Sequence, residues 1–274
     1  KEVKREKISS EEKVAVVVPQ EAIEAPVPIE TVPESEESWK PVTSLGKKVK
    51  AGEVTDIEDV FNNNDRILEA AVVDALLPDL KEELLLVGQA KGKFGGGQRR
   101  IFRQTQKKTT EGNRIQFAVC AAVGNNNGYV GVAIGKSKET VPARDKSRRL
   151  AKVSLIRVRR GCGSWQCSCG MPHSIPFAIT GKCGSSIITL MPAPRGKGLC
   201  VEKECAKILT LAGIKDIWSK TSGQTTTKVN LILALIDALK NLSEIKITPD
   251  HIQKLGIIEG KLKEAAEVAK ESSE

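Results

Sequence analysis

The chain reads as an α+β protein, and three features of its 274 residues say so. An apolar, strand-like run over residues 115–124 turns at NNNG and returns over 129–137, which is the pattern of a β-hairpin. Asn126, Asn127 and Gly128 readily supply the positive φ that such a turn needs. Pro142, in a first-turn position, opens a basic helix running to about Leu155. Beyond residue 161, strand-sized and helix-sized segments alternate, which favours mixed layers over an all-helical module.

In chain order, residues 1–38 hold ten Glu against five Lys or Arg, with prolines at 19, 26, 28 and 33 and no periodicity. They read as a disordered acidic arm. Order is expected from Trp39, in a helical N-terminal extension over 39–83. There Thr55, with Glu58 three residues on, is a capping-box start for the helix DIEDVF. Asp65 starts a second helix, RILEAAVVDALL, which Pro78 stops. A first domain is expected over 84–160. Extended pieces at 84–88 and 98–105 flank the flexible GKGKFGGG, and the hairpin and basic helix complete a compact strand–strand–strand–helix order. A second domain is expected over 161–245: strands at 174–180 and 185–191, the loop PAPRGKG, a helix at 201–212 ended by Gly213, a strand at 216–219 and a helix at 227–242. The tail, 246–274, reads as a helical, mildly acidic extension.

Charge is unevenly distributed. Residues 88–160 carry eighteen Lys or Arg and three acids (Glu111, Glu139, Asp145), a local +15, while the whole chain nets +9. Like charges at this density oppose compaction unless a polyanion neutralises them, and nucleic acid is the first candidate. Only nine residues are aromatic, and the basic segment offers just Phe94, Phe102, Phe117 and Tyr129. That scarcity argues against base-stacking platforms and for phosphate and 2′-hydroxyl contacts to helical or folded RNA. No stretch approaches eighteen consecutive apolar residues, which argues against a membrane span. The start, KEVKREKISSEEK, lacks the apolar region of a secretory signal. Seven cysteines, an odd number within residues 120–205 of a chain too large to need staples, predict reduced thiols in a cytosolic protein.

The strongest candidate RNA surface is residues 91–114, with Lys91, Lys93, Arg99, Arg100, Arg103, Lys107, Lys108 and Arg114 along strand edges and a glycine loop. Arginine's planar fork can hold a phosphate with two donors, and glycines let the backbone approach RNA. Gln98, Gln104 and Gln106 can reach 2′-hydroxyls or base edges. A merely solvated charge run is the plainer alternative, although only Glu111 balances this one. Asn126, with Lys136 and Lys138 beyond it, suits turn chemistry alone or RNA contact equally. Arg148 and Arg149 continue the basic surface, Arg157, Arg159 and Arg160 fall where the two domains should join, and Arg195 and Lys197 sit in the Pro/Gly loop as a third contact.

Cys162, Cys167, Cys169 and His173 offer three thiolates and one imidazole, the donor number of one zinc ion. Their spacing, C-x4-C-x-C-x3-H, is unlike the common C-x2-C knuckle, so zinc and plain loop or core thiols both stay open. Cys120, Cys183, Cys200 and Cys205 lie in apolar or helical settings and read as core residues. Enzymatic readings fare worse. GVAIGKS approximates a phosphate loop, but Gly131 and Gly135 enclose three residues where the motif needs four, and Pro142 leaves no room for a helix to start at Lys136. A Cys–His hydrolase would lack a companion acid beside His173, and His251 lies in the tail. The chain reads as a non-enzyme.

Four strings in order, QFAVCAAVGNNNGYVGVAIGKSKE, VPAR, PAPRGKG and LAGIKDIWSKTSGQT, resemble the small-subunit ribosomal protein five family, over about Trp39 to Leu242. WKPVTSLGK, LLPDL and RRGCGSWQCSCGMPHSIPF look like its archaeal branch, which is close to the eukaryotic one. The resemblance implies an N-terminal domain similar to a double-stranded-RNA-binding fold, three strands against a helix, and a C-terminal α+β domain with a βαβα core. It also implies a structural constituent of the small ribosomal subunit in the cytoplasm, requiring no cofactor. Such a protein would bind rRNA near the side where mRNA enters, neighbour other subunit proteins including the fourth, and support decoding accuracy. One departure is the helix PARDKSRRLAKVSLI, which carries Arg144 and Arg148 where many members are apolar. It predicts a weak packing stripe of Ala143, Ser147, Leu150 and Ala151 and a more basic outer face. A free-standing double-stranded-RNA-binding regulator is the alternative. The charge-poorer second domain, with nine bases to four acids over 161–240, favours an assembly component that also touches proteins.

Overall fold

The computed structural model describes residues 39–90 and 97–261. Strand β3 (Gly112–Gly124) organises the first lobe. Along one edge it pairs with β2 (Arg103–Thr109) over its first half and with β1 (Lys81–Leu85) over its last. Along the other edge it pairs with β4 (Tyr129–Ser137), in the register Phe117↔Ser137 to Gly124↔Val130, so the expected hairpin is present. Beyond β4 a short strand, β5 (Leu155–Arg157), closes the sheet. In the turn Asn126 and Gly128 take left-handed φ values of 56° and 94°, whereas Asn127 does not.

Helix α4 (Thr140–Val153) covers this sheet with the stripe Ala143, Ser147 and Ala151, spaced four apart on one face. The stripe is small because the strand beneath it is glycine. A Cβ at Gly131 would strike the Ala151 carbonyl, and one at Gly135 would strike the Ala143 carbonyl and the Ser147 amide. The two glycines of GVAIG therefore serve backbone-to-backbone packing, not phosphate. Leu150, expected in the stripe, is 38% exposed. Arg144 and Arg148 do more than decorate the outer face. The Arg144 guanidinium lies 4.9 Å over the Phe102 ring, and Arg148 Nε is 3.1 Å from Glu82. Both heads thus pair within the protein.

Several boundaries differ from expectation. A first helix, α1 (Ser44–Ala51), is capped by the Thr43 hydroxyl on the Gly46 amide and ends at Gly52 in the left-handed region. Helix α2 (Ile57–Asn62) starts after Asp56, not Thr55, and no side chain caps it; Glu58 turns instead to the Tyr129 hydroxyl, 3.3 Å away. Helix α3 (Ala70–Leu76) starts well after Asp65, because extended Glu69 accepts hydrogen bonds from the Val42 and Thr43 amides and holds the chain open. β1 begins earlier and β2 later than the extended pieces expected at 84–88 and 98–105. RQTQKKT has no apolar alternation to mark where its pairing begins.

The second lobe is a sheet in the order β7–β8–β10–β9, made of β7 (Ile179–Cys183), β8 (Ser186–Pro192), β9 (Leu199–Cys200) and β10 (Ile217–Ser222). Residues 174–178, expected in strand, instead carry only a bridge from Ser174 to Gly161. Helix α5 (Lys203–Leu211) is capped by the Glu202 carboxylate on the Glu204 and Cys205 amides. Helix α6 (Lys228–Glu244) repeats the packing of α4, with Gly181 of β7 beneath the Ala234 carbonyl and Ala238 amide. The two sheets share one core. Leu85, Cys120 and Val130 meet Ile188, Leu190 and Ile217 through Ile208, Leu209 and Leu211 of α5. Each such side chain contributes about 1.5–3 kcal/mol on burial.

The described part of the tail is not one continuous helix. Helix α7 (Pro249–Leu255) ends at left-handed Gly256, and the chain returns as β11 (Ile258–Glu259), antiparallel to β6 (Arg159–Arg160). The acidic arm, 1–38, and residues 262–274 lie outside the described residues. No described helix is long and apolar enough to cross a membrane.

Candidate nucleic-acid interface and metal centre

β2 and the first half of β3 form a two-stranded ribbon. Residues 103–108 and 112–116 are all exposed, so both ribbon faces meet solvent. Seven residues at about 3.3 Å each give it a reach of roughly 23 Å. A ribbon wet on both faces has no core of its own. Its register sets Lys107 directly across from Arg114, a like-charge pair that costs stability. Glu111 answers Arg114 at 2.9 Å. Arg103, Gln104, Gln106, Lys107, Lys108 and Arg114 thus stand together on one protruding element. Gln98 and Arg100 are exposed at its approach, Lys136 and Lys138 at the end of β4, and Arg149 on α4. Arg99 is half-buried, its guanidinium near the Gly88 and Thr226 carbonyls at 3.4 and 3.5 Å. Lys91 and Lys93 lie outside the described residues.

The arginines at the expected domain junction are internal. Arg159, 7% exposed, donates from Nη1 to the Leu242 and Ile245 carbonyls at 2.9 and 2.8 Å, from Nη2 to Ser243 at 2.9 Å, and from Nε to Glu259 at 2.6 Å. α6 ends at Glu244, so these are the carbonyls a helix C-terminus leaves unpaired, where its dipole favours a cation. Arg160, 2% exposed, donates from Nη2 to Asn127 Oδ1 and the Gly260 carbonyl, and desolvation lowers its pKa without discharging it. Burial removes both from the basic surface on which they were expected. Arg157 is half-buried between Asn62 and Glu259, and Arg148 is tied to Glu82.

Asn126 is also engaged within the protein. Its amide donates to the Leu211 carbonyl at 2.8 Å, and the Gly128 amide to Ala212 at 3.1 Å, so the turn satisfies the last carbonyls of α5 across the lobe boundary. In the side-chain orientation that suits both neighbours, its amide nitrogen donates to Thr210 and its oxygen accepts from Lys81, each at 3.1 Å.

The cysteine loop converges. The Gly161–Ser174 bridge pinches its neck, the Cys162 amide donates to Leu255 at the end of α7, and Gly170 at φ 62° reverses the chain between Cys169 and His173. That reversal brings His173 back to the side on which the cysteine sulfurs gather. Cys169 Sγ lies 3.5 Å from Cys162 Sγ, Cys167 Sγ lies 3.8 Å from His173 Nε2, and all four donor atoms fall within 4.8 Å of one another. Tetrahedral zinc, with bonds of about 2.3 Å to sulfur and about 2.0–2.1 Å to nitrogen, needs separations of roughly 3.6–3.8 Å. The donor set fits. Backbone N–H groups of Arg195 and then Cys169 pull the Cys167 thiol down to about 6, while burial raises Cys162 to about 11.

Asp216, which no spacing in the sequence connects to His173, is buried with Oδ2 2.9 Å from His173 Nδ1. That nitrogen is buried without an aligned hydrogen bond, so the contact is one of proximity and charge. A carboxylate behind a ligating histidine fixes ring orientation and raises ligand basicity. Of the other thiols, Cys120 and Cys205 are core residues whose pKa burial pushes up to about 12, but Cys183 is half-buried and Cys200 exposed, contrary to expectation.

Comparison with known proteins matches one family description to each lobe. "Ribosomal protein S5, N-terminal domain" matches residues 101–159 and "Ribosomal protein S5, C-terminal domain" residues 181–254. "Small ribosomal subunit protein uS5" of Nanoarchaeum equitans is 44% identical over 226 residues, covering 82% of this chain and 97% of the relative. The protein of that name from Methanocaldococcus jannaschii is 46% identical with the same coverage, and that from Pyrobaculum aerophilum 47% identical over 76% of this chain and 89% of the relative. With both lobes matched and archaeal relatives covered almost end to end, the chain belongs to the ribosomal protein S5 family, in its archaeal type, as a structural and non-enzymatic ribosomal protein.

Proposed function

We propose that this chain binds folded rRNA of the small subunit through the β2–β3 ribbon and the basic surface at its base. The observation that carries the reading is the ribbon itself: a core-less, like-charged element exposed on both faces. Folded RNA would supply both the counter-charge and the missing packing. Among the described residues of 84–160, Arg100, Arg103, Lys107, Lys108, Arg114, Lys136, Lys138, Lys146 and Arg149 are the exposed cations, with Gln98 and Gln104 for 2′-hydroxyls. Residues 161–245 carry less charge, and they pack against neighbouring subunit proteins and further rRNA. Family likeness supports a position in the cytoplasmic ribosome where mRNA enters, with the fourth small-subunit protein as a neighbour and a part in decoding accuracy.

Replacing Arg100 and Arg103 together with Ala should lower incorporation into small subunits, read by sedimentation after a salt wash, while circular dichroism stays unchanged. Undiminished incorporation would count against the ribbon base. A free-standing regulator would instead be found mainly off the subunit.

The second part of the proposal is one zinc ion held by Cys162, Cys167, Cys169 and His173. When bound, the ion would cross-link the loop ends as a folding staple. Elemental analysis of the purified chain should give one zinc per molecule and none in Cys169→Ser; a metal-free natural chain would refute it.

A further inference from the structure

The loop over residues 193–198 hangs by its backbone from the cysteine–histidine cluster. The Ala193 amide donates to Ser174 Oγ at 3.3 Å, next to His173. The Arg195 amide faces the Cys167 sulfur. The Gly198 amide donates to Asp216 Oδ1 at 2.8 Å, while the other oxygen of that carboxylate lies against His173. The Lys197 amide closes the turn onto Pro194 at 3.3 Å. What the loop presents outward is two exposed cations, Arg195 and Lys197. They stand in a stretch without an acid between Asp145 and Glu202. Arg195 also borders a cleft of about 850 Å³ that gathers Arg160, Lys215 and Lys261. The acid lining this cleft, Asp216, is already engaged with His173 and Gly198.

We infer that a metal held by the four donors sets the position of the 193–198 loop, so that metal binding at the cluster and RNA-phosphate binding by Arg195 and Lys197 strengthen each other. This rests on the zinc and rRNA readings proposed above. A bound ion fixes the Cys167 sulfur, and hence the acceptor facing the Arg195 amide. It fixes the His173 ring, and through Asp216 the acceptor of the Gly198 amide. Without it the Cys167 thiol is free to change rotamer and the His173 ring to turn, and the anchors at Arg195 and Gly198 loosen with them. A loop ordered before RNA arrives loses less freedom on binding. Three thiolates on one divalent ion leave a net charge of about −1, which opposes phosphate weakly and is screened at physiological salt. Ordering therefore sets the sign of the linkage.

The test uses the full chain, zinc-loaded or chelator-stripped, with filter binding to in vitro transcribed small-subunit rRNA and a colorimetric zinc assay. Stripping should weaken RNA binding about tenfold, within the usual range of site-to-site coupling, and RNA should raise zinc affinity by the same factor. In the variant with Arg195→Ala and Lys197→Ala, stripping should change RNA binding less than about twofold. Equal RNA binding by loaded and stripped chains overturns the linkage and leaves the zinc reading standing. An undiminished loss in the double variant also overturns it, since the effect would then not pass through this loop. A chain that takes up no zinc refutes the metal reading, and the linkage with it.

Discussion

Arg159→Met should lower stability by about 3 kcal/mol, at the low end of the range for removing one partner from a buried ion pair. Three carbonyls at the end of α6 lose their donor together, and Glu259 loses one of its two arginines. The figure is held low because Glu259 is a third exposed and keeps Arg157 at 3.0 Å. For a domain of this size the change corresponds to a drop of about 6–12 °C in Tm, read by thermal unfolding in circular dichroism. Arg160→Met is the control. That side chain is more deeply buried, yet its Nη2 donates to a side-chain amide oxygen and a backbone carbonyl, and its Nε is unpartnered. Removing it relieves a desolvated charge as well as breaking bonds, so its cost should be about 1–2 kcal/mol. Equal losses in the two variants would mean that capping α6 is not what Arg159 contributes.

These two arginines also show where the sequence stops being legible. In RVRR nothing distinguishes a solvated cation from a buried one, because the feature that decides it, the unpaired end of α6, arrives more than eighty residues later. The hairpin and α4 are readable because their signals are local: a turn that needs positive φ, and a small-residue stripe at helical spacing. Helix α1 has equally local signals, Thr43 before it and Gly52 after it. Helix α3 starts late because a tertiary contact, Glu69 to the Val42 and Thr43 amides, overrides helix propensity. For the cluster, residue types announce the donors, but two cysteines two apart look wrong for one metal until the fold sets all four donor atoms within 4.8 Å of one another. Asp216 has no sequence signal at all, since an acid at the start of a strand is ordinary until the fold brings it to His173.

The β2–β3 ribbon carries the other large effect. Replacing Arg103, Lys107, Lys108 and Arg114 together with Gln should weaken binding to small-subunit rRNA by about a thousandfold near 0.1 M salt. Each phosphate contact adds roughly 0.7–0.9 to the slope of log affinity against log salt, so four lost contacts at one tenth molar remove about three logarithmic units. The slope itself should fall by about 3, and this is the more telling measurement, because a general loss of fold would lower affinity without that fixed relation to charge. The fold should not suffer. These residues are exposed, and the ion pair lost is the surface contact of Arg114 with Glu111, worth about 0–1 kcal/mol. Removing the Lys107–Arg114 opposition should even stabilise the free ribbon slightly. A variant that binds rRNA weakly with an unchanged salt slope would show that the ribbon acts by shape or packing, and the phosphate reading of this surface would fail.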